Sequence, residues 1–92
     1  MKKACRFIVK GTVQGIFFRQ FVKTHADELK LRGFVRNLED GTVEIVAEGE
    51  AENLSRLNEF LKTGPEHAQI RGVKVEEKKW SGDFSEFKAL RF

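Results

Sequence analysis

The sequence predicts an α+β sandwich, two helices laid on one face of a mainly antiparallel sheet, and three observations carry that expectation. Stretches with apolar residues at alternate positions are interspersed with stretches of helical spacing. Their order is β-α-β-β-α-β with a short extra strand at the C-terminal end. Beyond the symmetry of that pattern, no repeat, linker or low-complexity tract interrupts the 92 residues. A chain of this length suits one compact domain over residues 1–92, large enough to bury a core without disulfides or metal.

The first strand is read from Cys5 to Val13, where Cys5, Phe7, Val9 and Val13 are apolar and Arg6, Lys10 and Thr12 are polar. After Gln14-Gly15, Phe18, Val22, Ala26 and Leu29 recur at helical spacing opposite Lys23, Asp27, Glu28 and Lys30. That places a helix over Phe18 to Leu31, with Gly33 just past its end. Gly33 to Leu38 reads as a second strand, with Gly33, Val35 and Asn37 on one face and Phe34, Arg36 and Leu38 on the other. Asp40-Gly41 tolerates positive φ and predicts a tight hairpin into a third strand over Thr42 to Ala47, closed by Gly49. Leu54, Leu57 and Leu61, among Glu50, Glu52, Arg56 and Glu59, mark a second amphipathic helix that stops at Gly64-Pro65. Ile70, Val73 and Val75 begin a fourth strand whose charged run, Glu76 to Lys79, suits a solvated sheet edge. Phe84, Phe87, Leu90 and Phe92 suggest a short last strand. The whole is the ferredoxin-like α/β sandwich.

Composition narrows the function classes. Hydrophobic residues make up 40% and charged residues 34% of the chain, the balance of a globular protein. Nine Phe with one Trp and no Tyr imply a core built around phenyl rings. Cys5 is the only cysteine, which excludes an intramolecular disulfide and a Cys-based zinc site and suits a reducing compartment. Lys2 and Lys3 precede an apolar stretch, Phe7 to Val9, that Lys10 breaks, so neither a signal peptide nor a membrane span is expected and the protein reads as cytoplasmic. Lys and Arg exceed Asp and Glu by 17 − 14 = 3, without a long basic run.

Chemistry concentrates in two places. Gln14-Gly15-Ile16-Phe17-Phe18-Arg19 joins a strand to the first turn of a helix, where free N–H groups and the positive end of the dipole favour an anion. Gly15 lets the backbone approach closely, and Arg19 could add a planar, two-pronged charge. The bland alternative is an ordinary strand-to-helix turn with Gly15 present for its dihedral angles. Asn37 is the second candidate, an amide in an apolar strand where it needs hydrogen-bond partners; its bland reading is a helper of the adjacent turn. His25 reads as helical and partly packed and His67 as a loop residue, with no spacing for a metal or a catalytic triad. The carboxylates read as solvated helix and strand faces.

The segment Gly11-Thr12-Val13-Gln14-Gly15-Ile16-Phe17-Phe18-Arg19 resembles the loop signature of the acylphosphatase family, and Gly33-Phe34-Val35-Arg36-Asn37 with Asp40-Gly41-Thr42-Val43-Glu44 resembles its second signature. Ala26, Leu29 and Leu31, then Ala47-Glu48-Gly49 and Gly64-Pro65, extend the resemblance over nearly the whole chain. Ile16 stands where the family more often has Val and Phe34 where it more often has Trp, while the position of Phe17 varies. The resemblance implies that Arg19 binds phosphate, that Asn37 positions the attacking water, and that the amides from Gly15 to Arg19 cradle the phosphate. It also implies strand order 4-1-3-2-5, a monomer, no metal or other cofactor, and a small-molecule acyl phosphate as substrate, with neither nucleic acid nor membrane as partner. A second reading is an RNA-binding module on the same fold, because Arg32-Gly33-Phe34-Val35 echoes an aromatic strand motif, although that motif belongs on the third strand. A third is a non-catalytic anion-binding domain that keeps the loop.

Overall fold

The computed structural model describes residues 1–66 and 68–91. Expectations for His67 and Phe92 therefore lie outside the described residues. Five strands and two helices follow in the order β1 (Lys2–Gly11), α1 (Ile16–Glu28), β2 (Arg32–Asn37), β3 (Val43–Glu50), α2 (Ala51–Thr63), β4 (Ile70–Lys78) and β5 (Phe87–Ala89). They make a mixed sheet in the order β4-β1-β3-β2-β5, the order that the sequence resemblance implied. Among the described residues only the β2–β5 pairing is parallel, with Gly33 opposite Phe87 and Val35 opposite Ala89. The fold is the ferredoxin-like α+β sandwich, with α1 packed on β2 and β5 and α2 on β1, β3 and β4.

Several element limits differ from the sequence reading. β1 begins three residues before Cys5, because Lys2 and Lys3 pair with Glu50 and Gly49 through the backbone, which needs no apolar side chain. It ends at Gly11, and Val13 is buried beyond the strand. α1 starts at Ile16 and stops at Glu28, short of Leu31. The residue that reverses the chain is Lys30, with φ 58, rather than Gly33: its N–H donates to the carbonyl of Asp27 at 3.0 Å and that of Leu31 to Ala26 at 2.9 Å. This is the paired bonding of a Schellman motif with a lysine in the left-handed position. Gly33 lies inside β2 at φ 142, where a Cβ would meet the Val46 carbonyl oxygen at 1.9 Å.

The β2–β3 connection closes with Leu38 N–H on Thr42 O at 2.9 Å and Gly41 N–H on Leu38 O at 3.2 Å. Gly41 alone in this turn has positive φ, so the turn spans Glu39 to Gly41 rather than resting on Asp40 and Gly41 together. α2 ends as its sequence suggests, at Gly64 with φ 71.

The core lies between the helices and one face of the sheet. Phe18, Val22 and Ala26 of α1, four residues apart, and Leu54, Leu57 and Leu61 of α2 are buried against Phe7, Val9, Val35, Val43, Ile45 and Ala47. Each large side chain so buried is worth about 1.5–3 kcal/mol. The expected phenyl core is largely aliphatic instead: among the described phenylalanines only Phe7, Phe18 and Phe87 are buried. The others are used at edges. Phe34 meets Phe84 at 6.0 Å on the opposite sheet face, and Phe60 stacks on His25 at 3.8 Å beside Phe21. His25 is thus helical and half-buried, as its position suggested.

Candidate active site

The loop from Thr12 to Gly15 is fixed at three points before the helix begins. At its base Thr12 N–H donates to Gln69 O at 2.8 Å, where β1 departs from regular register with β4. A Cβ on Gly11 would lie 1.9 Å from that same Gln69 oxygen, so this approach requires glycine. Further along, Gln14 Nε2 donates to the carbonyls of Leu38 at 2.7 Å and Thr42 at 3.1 Å, fastening the loop to the β2–β3 turn. The third point is Gly15, which holds φ 127 and ψ 170 ahead of the first helical residue. No atom lies within 4 Å of where its Cβ would be, so the space above this residue is open. Among the described residues no side chain caps the helix start, which leaves the N–H groups of its first turn without a side-chain cap.

Burial of Phe18, Val22 and Ala26 sets the rotation of α1 about its axis, and this in turn aims Arg19. The Arg19 guanidinium is half-buried and oriented by two backbone carbonyls: Nη1 donates to Leu90 O at 2.5 Å and Nε to Gly15 O at 3.4 Å. Leu90 N–H in turn donates to Val35 O at 2.8 Å, which extends the β5 pairing by one residue. Arg19 is thereby tied through Leu90 to β2 at Val35, two residues from Asn37 on the same face. Among the described residues no carboxylate pairs with Arg19, and Nη2 makes no hydrogen bond.

Asn37 closes β2 opposite Val43. Its Oδ1 is buried and accepts no hydrogen bond from the described residues. Buried polar atoms are nearly always paired, so an orphaned acceptor calls for a donor from outside the chain. Asn58 Oδ1 on α2 is likewise unpartnered, so the orphan alone does not define a site. What sets Asn37 apart is its surroundings: Gln14 is bonded to the next residue, Leu38, and Arg19 is linked to Val35 two residues before. Asp40 shapes the turn beside it by accepting from Thr42 N at 3.0 Å and Thr42 Oγ1 at 2.6 Å. Those bonds hold the Asp40 carboxyl below the usual carboxylate range.

The sequence candidates Gln14 to Arg19 and Asn37 therefore gather at one end of the sheet. The Gln14 side chain serves there as a bracket between the loop and the β2–β3 turn. Missed altogether was Leu90, whose carbonyl orients Arg19; a main-chain acceptor carries no residue-type signal. Cys5 stays outside, half-buried on β1, where burial above all raises its thiol pKa, with Glu77 adding to the rise. Among the described residues, no group of three His, Cys, Asp or Glu is placed to hold a metal ion.

The family model described as Acylphosphatase matches residues 5–89. The chain belongs to the acylphosphatase family. A protein of Alkalilimnicola ehrlichii named acylphosphatase is 49% identical over 75 residues, 82% of this chain and 84% of its own. One of Methylococcus capsulatus with the same name is 44% identical over 89 residues, 97% of each chain. The crystal structure of acylphosphatase from Bacillus subtilis has a TM-score of 0.90 at 38% identity and covers 98% of this chain and 99% of that one.

Proposed function

We propose that the chain is an acylphosphatase that hydrolyses the carboxyl-phosphate bond of acyl phosphates, with Arg19 and the Gly15–Arg19 amides holding the phosphate and Asn37 holding the water. The observation that carries the reading is Arg19: a guanidinium oriented by two neutral carbonyls, without a carboxylate partner among the described residues, beside an open glycine at a helix start. Such a group keeps its charge for an anion.

The reaction needs little else. Water attacks phosphorus and the P–O bond to the acyl group breaks, its electron pair leaving on the carboxylate. Both hydrogens of the water end on the phosphate product, one on the entering oxygen and one on a phosphate oxygen that takes it as the base. Because a carboxylate leaving group has a conjugate-acid pKa of about 4, no general acid is required. Phosphoryl transfer then rests on positioning and on stabilising charge over the phosphate oxygens, which a guanidinium and a ring of amides can supply. The orphaned Oδ1 of Asn37 can accept a hydrogen bond from water but is too weak a base to deprotonate it. Residues 1–92 act as one acylphosphatase domain, in the cytoplasm and as a monomer.

The RNA-binding reading finds less support. Phe34, the aromatic of the echoed motif, is half-buried against Phe84, and on the same sheet face β3 presents Glu44 and Glu48. Incubation of the purified chain with benzoyl phosphate in excess EDTA tests the proposal. Rapid hydrolysis is expected, and a rate equal to buffer would leave only an anion-binding module.

A further inference from the structure

At the other end of the sheet lies a cavity of about 370 Å3, within the range of about 300–1,000 Å3 that small organic ligands occupy. β1 and β2 flank the end of β3 there, with Lys2 opposite Glu50 and Arg32 opposite Glu48. Lys30 joins them from the left-handed turn after α1. Glu48 and Glu50 stand five and seven residues along β3 from Val43, the partner of Asn37, so the cavity is about 17–24 Å from that end of the strand. Its carboxylates are engaged within the chain. Glu48 accepts hydrogen bonds from the Ser81 N–H, the Ser81 hydroxyl and the Gly82 N–H at 2.8–3.0 Å, and Glu50 pairs with the N-terminal ammonium at 2.9 Å. Its cations are not so engaged: among the described residues no carboxylate pairs with Lys2, Lys30 or Arg32. Trp80 completes the wall. Its six-membered ring rests against Gly82, where an added Cβ would meet Cη2 at 2.7 Å, and 43% of the residue is exposed. The Lys2 ammonium lies 5.6 Å from the ring centroid.

We propose that this cavity binds a free nucleotide, with the base stacked on Trp80 and the phosphate held by Lys30 and Arg32. A planar ring joined to a phosphate uses both features of the wall. Phosphate alone would leave the indole in water, and a neutral ring would leave the cations unused. Glu48 and Glu50 repel the further phosphates of a passing strand, so the occupant is a single nucleotide rather than a run of nucleic acid. Lys2, which lies over the ring, is exposed and can swing toward the phosphate as the base takes its place.

Trp80 is the only tryptophan of a chain without tyrosine, so indole emission reports on this cavity and not on the phosphate loop. The test titrates the unaltered chain with adenosine 5′-monophosphate and with adenosine, following that emission, and repeats both titrations on Lys30→Gly, Arg32→Gln and Arg19→Ala. Glycine suits the positive φ at position 30 and the Arg32 side chain is exposed, so both cavity variants keep the fold. We expect saturable quenching by the monophosphate and binding of adenosine about tenfold weaker. Lys30→Gly and Arg32→Gln should each weaken the monophosphate about fivefold, while Arg19→Ala leaves its affinity unchanged. The readout is binding and needs no turnover, so its outcome stands apart from the hydrolase reading. Absence of saturable quenching overturns the proposal. So does quenching that adenosine matches, that both cavity variants leave intact, or that Arg19→Ala removes.

Discussion

On the open face of the sheet, Arg6 and Arg36 each give an Nε–H to one oxygen of Glu44, at 2.5 and 2.6 Å. At the loop end of the molecule Arg19 gives its hydrogen bonds to the carbonyls of Gly15 and Leu90. Both arrangements hold a guanidinium still, but among the described residues only the first pairs it with a carboxylate. Arg6 and Arg36 flank a Glu44 side chain that is 7% exposed, and their own side chains are 32% and 40% exposed, which makes them part of a partly buried ion cluster that β4 extends through Glu76. A guanidinium fixed by neutral oxygens is positioned without losing its charge, the condition for binding an anion that arrives from solution.

If this contrast is right, the same substitution has opposite consequences in the two regions. Arg19→Ala should lower kcat by about three orders of magnitude and weaken inhibition by inorganic phosphate. Arg19→Lys should fail as well, since a point charge lacks the planar fork. Arg36→Ala should retain turnover within about twofold and lose about 1 kcal/mol of stability, as befits a half-exposed ion pair. Steady-state kinetics with phosphate as competitor, beside urea melts, separates the two. Equal losses of activity in Arg19→Ala and Arg36→Ala would break the comparison.

Asn37 sharpens it from within the loop region, because binding and chemistry are assigned there to different side chains. Asn37→Ala should cut kcat by about two orders of magnitude while phosphate inhibits with a similar constant, since Arg19 and the amides still hold the anion. Near-normal kcat in Asn37→Ala would mean that another group places the water, even with the family assignment standing.

The two regions were not equally legible in the sequence. In the loop, Gly15 before a helix and an arginine in its first turn are local signals that suit an ordinary turn better than an anion site on pattern alone, and it was the family resemblance that singled them out. Asn37 was conspicuous as an amide in an apolar strand. The open face was misread: Glu44 and Glu48 looked like solvated strand residues and are 5% exposed. Their partners lie far off in sequence. Arg6 is 38 residues from Glu44, and Ser81 and Gly82, which donate three hydrogen bonds to Glu48, are 33 and 34 residues away. Alternation correctly gave the strand and its two faces but cannot say whether a later segment, here residues 80–84, will cover the outer one. The same limit applied at the end of α1, where Lys30 adopts the left-handed turn expected of a glycine, held by bonds to Asp27 and Ala26.

The smallest effect expected concerns Glu44 and acid. Burial alone would raise its pKa, but hydrogen bonds from Arg6 and Arg36, with the charges of both, outweigh that and hold it below the ordinary value of 4.5. Near and below 4.5 the unfolded chain therefore binds a proton that the folded chain still refuses, and stability rises with pH in that window. The contribution is complete above the ordinary value and disappears as pH falls through the lower folded one. Glu44→Gln keeps the shape of the side chain and removes the charge, so it should cost about 1–2 kcal/mol near pH 7, less than a fully buried pair because both arginines reach water. The gap between the two proteins, read as the difference in urea midpoints, should narrow as pH falls below the ordinary value and the unaltered Glu44 loses its own charge. Benzoyl phosphate hydrolysis at neutral pH should differ little between them, because this cluster serves the sheet and not the loop. A gap that stays constant from neutral to acid pH would mean that Glu44 stabilises the fold by packing rather than by charge, and the two arginine environments would then be less different than their geometry indicates.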